Sequence, residues 1–454
     1  MRNSSIDLCK GPLLKNIIAF TIPIMLSGIL QLLFNAADLV VVGRFCGSTC
    51  VGAVGATTSL IHLITNLFIG LSVGVGVGVA YGLGSGNYRG VRETVETCVP
   101  AAAICGVVMT LIGLFAAEPM LELMKTPEEQ IGLSALYMKI YFLGNVPSMI
   151  YNFGSAVLRA AGDTRGPLWY LTISGVANVI LNLVFVMGFG MTVDGVAYAT
   201  IISQAISAAL VLWALSKRQD ACQLVWKEMR LYKEPIKKIL TVGLPAGIQS
   251  SLFSISNVII QSSINSFGSV VVDGSSAAGS LEGFAYTAVN AYHQTALNFA
   301  GQNMGARQYD RVKKIFGLNL ICTTVTGILA AGLILGFARQ LLGIYLPDSP
   351  EAVEYGIKRM LFVCLPYAFC GLMDVTTGML RGIGSSTTPM VITVLGVCGM
   401  RIVWIYTVFQ LPQCHSLEWL MASYPISWGL TFLVELLAFA IIWKKKMREA
   451  GETA

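Results

Sequence analysis

Between Leu13 and Trp443 the sequence is a succession of long apolar runs separated by short polar segments. About 20 apolar residues of α-helix cross the hydrocarbon core of a bilayer, where every backbone N–H and C=O has to find its partner within the segment. The pattern therefore restricts the chain to an all-α, polytopic membrane protein. Composition agrees: 12% of the residues are charged and 55% hydrophobic, against about a quarter charged in a soluble domain. Twelve spans are expected, near 13–42, 51–83, 95–117, 133–157, 167–188, 193–215, 237–266, 275–301, 313–337, 354–379, 389–410 and 419–443. The first run reads as a spanning helix and not as a cleavable leader, because Pro23 and Gln31 interrupt it and no small-residue cleavage site follows.

The net charge of +6 does not point to a nucleic-acid partner, because the basic residues occupy the segments between apolar runs. Assigning alternate segments to opposite sides places 23 Lys and Arg on the side holding both termini and 6 on the other, with Arg401 inside a span. Basic loops face the cytoplasm, so both termini are expected there, in a bacterial plasma membrane. The stretch from Ser216 to Lys238 carries seven Lys and Arg and reads as a joint between halves, giving lobes at 1–216 and 237–454 with a linker at 217–236. The eleven cysteines include no Cys-x-x-Cys pair. They are expected as free, mostly buried thiols, although Cys46 and Cys50 lie close enough in sequence to pair.

An internal repeat supports the two halves. Leu158 to Pro167 (LRAAGDTRGP) recurs as Leu380 to Pro389 (LRGIGSSTTP), and the same offset of 222 residues aligns Pro23 with Pro245 and Asn35 with Asn257. An offset of 221 aligns Gly84, Tyr88 and Val91 with Gly305, Tyr309 and Val312. Six spans in each half give the repeats the same topology, related by a pseudo-two-fold axis along the membrane normal. Pro23, Pro147, Pro245 and Pro366 each remove a backbone donor inside a span and are expected to bend it. Gly70, Gly74, Gly78, Gly82 and Gly86, every fourth residue, mark a close helix-packing stripe rather than a phosphate loop. No phosphate-binding Lys-Ser/Thr motif, nucleophile elbow or His-rich metal cluster is present, so neither an enzyme nor a bound cofactor is expected.

Charges stranded in apolar runs are costly unless paired or wetted, which makes them functional candidates. Asp38, Glu282, Asp374 and Arg401 stand out. In the first span Gln31, Asn35 and Asp38 share one helical face, so Asp38 is a candidate to exchange a proton or to bind Na⁺, and no other metal ion is expected. Asn178 and Asn182 in the fifth span and Thr200 in the sixth offer hard oxygen ligands, though each is also an ordinary interhelical hydrogen-bond partner, and taken alone they read as packing. The matching stripe in the seventh span, Ser250, Ser254, Asn257 and Gln261, is uncharged. Glu282, followed by Asn290, His293 and Asn298, and Asp374 are candidates to line a cavity for lipophilic cations. Asp374 has an alternative role as partner of Arg381, and Arg401 is expected to pair with one of these acids.

Ala37 to Gly43 (ADLVVVG), the Gly301 to Ala306 turn (GQNMGA) and the two Leu-Arg…Pro loops resemble those of the multidrug and toxic compound extrusion (MATE) family, over nearly the whole chain. The resemblance implies two six-helix lobes and export of cationic amphiphiles against H⁺ or Na⁺ by alternating access, as a monomer among membrane lipids. It also implies a coupling-cation site at Asp38, Asn178, Asn182 and Thr200, and a substrate cavity at Gln31, Asn35, Asn257, Gln261, Glu282 and Asp374. Family members often carry Asp where this chain has Asn182, which leaves one formal charge in place of two. Leu252, Phe253 and Ser254 provide no counterpart to the seventh-span Glu of NorM-like members, and Leu281 to Phe284 looks closer to the DinF-like branch. The rival transport reading is a flippase for lipid-linked oligosaccharide, whose anionic substrate calls for a cationic cleft. A channel or a membrane receptor is the alternative outside the transporter class.

Overall fold

The computed structural model describes residues 5–46, 48–123, 128–347 and 349–451. The outermost residues of the two expected lobes, 1–4 and 452–454, lie outside this range. Among the described residues the regular structure is helical throughout: α1 (Leu13–Phe45), α2 (Ser48–Gly84), α3 (Tyr88–Leu123), α4 (Glu128–Leu143), α5 (Asn145–Ala160), α6 (Arg165–Leu183), α7 (Val193–Ser216), α8 (Lys233–Lys238), α9 (Leu244–Asn265), α10 (Ser269–Gly305), α11 (Tyr309–Gly336), α12 (Ala338–Tyr345), α13 (Pro350–Val363), α14 (Tyr367–Gly382), α15 (Thr387–Thr393), α16 (Met400–Tyr406) and α17 (Leu417–Glu449). Single π-helical turns at Val184–Gly188, Ile239–Gly243 and Val394–Gly399 extend α6, join α8 to α9, and join α15 to α16.

Nine helical segments among the described residues are long and apolar enough to cross a membrane, and α13 with α14, bent by 45°, forms a tenth. The two further expected spans are helical as well: 133–157 falls on α4 and α5, broken at Gly144, and 275–301 lies within α10. Polarity explains why α10 does not meet the apolar criterion: Glu282, Asn290, His293 and Asn298 interrupt it. Pro23 lies inside α1, and the α13–α14 bend falls at Pro366, where a missing N–H ends one helix before the next begins.

The repeat is written into the backbone. Ser48–Gly84 recurs as Ser269–Gly305, and Asn145–Ala160 as Tyr367–Gly382. Gly162 and Gly384 occupy matching positions in the two Leu-Arg loops and share a positive φ of 85° and 90°. Gly86 (φ 71°) corresponds to Arg307 (φ 55°), the one non-glycine with positive φ among the described residues. The second half therefore keeps a left-handed turn that glycine takes without strain and arginine does not.

Two compact units result, neither continuous in sequence. The first comprises Met1–Gly11, Leu26–Ser251 and Gly305–Arg307; the second comprises Pro12–Met25, Leu252–Met304 and Gln308–Ala454. Both α1 and α9 thus divide between the units, and residues 217–236 lie in the first. In the first unit the glycine stripe of α2 packs against backbone. A Cβ on Gly70 would lie 2.2 Å from Gly247 Cα, and one on Gly74 would lie 2.7 Å from Ile239 Cα. In the second unit α14 is buried along nearly its whole length, and Gly371 and Gly378 let α11 and α10 approach it. The eleven cysteines are all free, Cys46 and Cys50 among them.

Candidate functional site

In the first unit α1 meets α6 where Phe34 lies over Gly175. A Cβ on Gly175 would sit 1.9 Å from the Phe34 ring, so only glycine permits this approach. One turn further along α1 and about two along α6, at Asp38 and Asn182, the closeness becomes a polar contact. Asn182 Nδ2 donates to Asp38 Oδ1 at 2.5 Å and also to Asn178 Oδ1 at 3.3 Å, and Asn178 Nδ2 donates to Thr200 Oγ1 on α7 at 3.5 Å. The four residues expected as a cation-coupling set are therefore joined in one network across three helices. Asn182 is fully buried, and its Oδ1 has no hydrogen-bond partner. An open acceptor beside a carboxylate is suited to a small cation or to the O–H of a protonated acid.

Tyr137 and Tyr141 on α4 are close enough for the charge of Asp38 to act on their hydroxyls, and their rings are 6.1 Å apart. The sequence reading missed both, because aromatic residues in an apolar run look like ordinary core. Gln31 Nε2 donates to Asn35 Oδ1 at 3.3 Å one and two turns before Asp38, and both side chains are exposed. The α6 helix passes into its π turn at Val184, directly after the network. Such turns widen the helix and often occur at functional positions.

The second unit is built differently. Asn257 is exposed, and Gln261 donates to Asn265 Oδ1 at 3.1 Å. Glu282, expected to line a cavity with Arg401 as partner of one of the acids, is instead paired with Arg359 on α13 by two hydrogen bonds, Nε to Oε1 at 2.9 Å and Nη2 to Oε2 at 2.8 Å, and both side chains are buried. Arg359 lies at the start of an expected span, where its sequence position groups it with the loop charges. Asp374 accepts from Asn290 Nδ2 at 3.0 Å and lies within electrostatic range of Arg381. The Arg381 guanidinium lies 3.4 Å from His293 Nε2, while His293 Nδ1 lies 2.7 Å from the Asp374 carbonyl oxygen. Packing of α10 against Gly378 draws Arg381 toward the histidine.

Arg401 also departs from expectation. It is fully buried yet forms no ion pair among the described residues. Its guanidinium lies 3.9 Å from the Tyr424 ring centroid and 5.6 Å from that of Trp428, and Nε donates to Ser427 Oγ at 3.2 Å. An aromatic face thus does the work expected of a carboxylate. A further acid, Glu435 on α17, is fully buried and accepts hydrogen bonds from Thr377 and Thr393. The rule that singled out Asp38, a lone charge in an apolar run, applies equally to Glu435 between Val434 and Leu436. Among the described residues no three His, Cys, Asp or Glu converge to hold a metal ion.

The MatE family model matches the chain twice, at residues 23–184 and 245–407, with starting points 222 residues apart like the repeat itself. The chain belongs to the MatE family. Its curated MatE relatives include the probable multidrug resistance proteins YpnP and YoeA of Bacillus subtilis. YpnP is 28% identical over 87% of this chain and 88% of its own length, and YoeA 27% identical over 94% and 93%. The FAD transporter of Shewanella oneidensis is 22% identical over 92% and 93%. A solved structure of a multidrug resistance MATE family transporter in an outward-facing conformation superposes with a TM-score of 0.90 at 21% identity, covering 98% of this chain and 99% of that one. The MatE fold is thereby shared throughout, and the all-α polytopic membrane architecture is that of the family.

Proposed function

We propose that this MatE protein is a secondary-active multidrug exporter of the bacterial plasma membrane, moving lipophilic cations outward by antiport against H⁺ or Na⁺, with both termini in the cytoplasm. The multidrug resistance names carried by YpnP and YoeA support the substrate class. The observation that carries the coupling is the Asp38–Asn182–Asn178–Thr200 network, one carboxylate and a buried open amide oxygen among apolar helices. Cation loading satisfies that oxygen and offsets the Asp38 charge, so the loaded and empty states favour different packings of α1 on α6. An ion drives alternating access only through such a difference in affinity between states. With one carboxylate in place of two, Coulomb attraction for a bound cation is weaker and coupling rests more on the neutral oxygens. Transport proceeds without covalent chemistry or a resident cofactor, in a monomer surrounded by lipid.

The second reading, a flippase for lipid-linked oligosaccharide, has Arg401 in its favour, a buried cation with no carboxylate partner among the described residues. One experiment separates the two. Proteoliposomes loaded with a fluorescent lipophilic cation are given a pH gradient or a Na⁺ gradient, with Asp38→Asn alongside. The expected outcome is gradient-dependent efflux by the wild type and none by the variant, which keeps the side-chain shape and loses the titratable charge. Absence of cation transport under either gradient overturns the exporter reading and favours an anionic, lipid-linked substrate.

A further inference from the structure

The second unit holds a buried polar cluster whose charges do not balance if every acid in it is ionised. Glu435 on α17 accepts from Thr377 Oγ1 on α14 and from Thr393 Oγ1 on α15, both at 2.8 Å and both to Oε1. Its other oxygen, Oε2, is buried without any hydrogen-bond partner. One turn before Thr377 on α14 is Asp374, whose Oδ2 takes the N–H of Asn290, and one turn after it is Arg381.

His293 fixes the charge count. Its Nδ1 faces a carbonyl oxygen and so carries the hydrogen, while its Nε2 faces the Arg381 guanidinium and so is bare. The imidazole is therefore neutral, leaving one guanidinium to balance two carboxyl groups. The remaining helices packed on α17 bring no nearer compensation. Arg359 on α13 is committed to Glu282, Arg401 on α16 faces Tyr424 and Trp428 about two turns or more before Glu435, and Lys313 on α11 faces Trp443 two turns beyond it. A buried carboxylate oxygen with no donor is far more costly than a neutral hydroxyl at the same place. Of the two acids, Asp374 has a donor for its Oδ2, and Glu435 Oε2 has none.

We infer that Glu435 is a second proton-binding site, separate from Asp38, which carries its proton on Oε2 in this conformation and exchanges it during transport. Release breaks the Oε2–H bond and passes the proton to solvent water, leaving a carboxylate that keeps the Thr377 and Thr393 donors and lies within electrostatic range of Arg381. The π turn at Val394–Gly399 begins at the residue after Thr393, and α17 lies so close to it that a Cβ on Gly396 would be 2.3 Å from Thr431 Oγ1. A change of charge on Glu435 is thus felt directly where α15, this turn and α17 pack. The exchange part of the inference rests on the proposed antiport; the bound proton does not.

Infrared difference spectra of the purified full chain in lipid nanodiscs, taken between alkaline and acid pH, test the bound proton without any substrate. The expected result is a protonated-carboxyl C=O band present in the wild type and in Asp38→Asn and missing in Glu435→Gln. Thr393→Val keeps the acid but removes one donor from Oε1, and is expected to shift the frequency of that band. A Glu435→Gln spectrum superimposable on wild type overturns the inference, as does an unshifted band in Thr393→Val should Glu435→Gln fail to fold. In proteoliposomes the number of protons exchanged per tetraphenylphosphonium exported should fall in Glu435→Gln, and an unchanged ratio overturns the exchange. Failure of the wild type to export, with the band intact, refutes the exporter reading and leaves the proton site standing.

Discussion

Replacing Arg359 by Met is expected to destabilise the second unit strongly, and replacing Glu282 by Leu at the same time is expected to restore it. The pair is bidentate, with contacts of 2.9 and 2.8 Å, and its side chains are only 10% and 6% exposed. Met fills much of the volume of Arg359 but leaves the Glu282 carboxylate buried without its donor, which costs about 3–5 kcal/mol. The two charges were themselves desolvated to form the pair, so an apolar pair of similar size in the same space is neutral or more stable. For a unit of this size about 2–4 °C of melting temperature accompanies each kcal/mol, so the single variant should melt roughly 6–20 °C below wild type. Size-exclusion profiles of detergent-solubilised protein after a temperature series give that number. Arg359→Met melting with the wild type, or a double variant no better than the single ones, would refute the reasoning, since either result requires a pair exposed to water.

Gly70→Val should be at least as damaging in the first unit, because its Cβ meets Gly247 backbone at 2.2 Å and backbone cannot turn aside; a loss of about 3 kcal/mol or more is expected. Gly55→Ala on the same helix, with nothing within 4 Å, serves as the control and should melt at or slightly above wild type. In the 217–224 loop Asp220 is partly buried, which works against its charge, yet the Arg218 guanidinium and the Cys222 backbone N–H hold its carboxyl below the usual carboxylate range. A depressed acid contributes stability above its unfolded value, and that stability is lost as pH falls through the folded value. Protection of 217–224 against hydrogen exchange, measured relative to the intrinsic rate at each pH, should therefore be high at pH about 6 and fall below pH about 4, and Asp220→Asn should remove that fall.

Spans, repeat and glycine stripe were legible in the sequence because each follows from a local rule: length of apolar run, recurrence at 222 residues, and spacing of four. Asp38 was legible as a charge inside an apolar run, whereas Asn178, Asn182 and Thr200 were joined to it as a set only through the resemblance to the MATE family. Residues at i and i+4 share a helix face whatever the helix packs against, although only the closeness of α1 and α6 at Gly175 joined them into one network. Pairing of the remaining charges depends on which helices become neighbours, and no spacing along one chain encodes that. Glu282 found Arg359 across 77 residues, Arg401 found aromatic rings in place of an acid, and Arg381 was drawn to His293 by the approach of α10 to Gly378. Sequence therefore determined where charge enters the membrane. Tertiary packing decided which charges are paired and which, at Asp38 and Glu435, have only neutral hydrogen-bond donors and no salt bridge among the described residues, because the cost of a buried charge is set by the donors within about 3 Å of it, most of which lie on other helices.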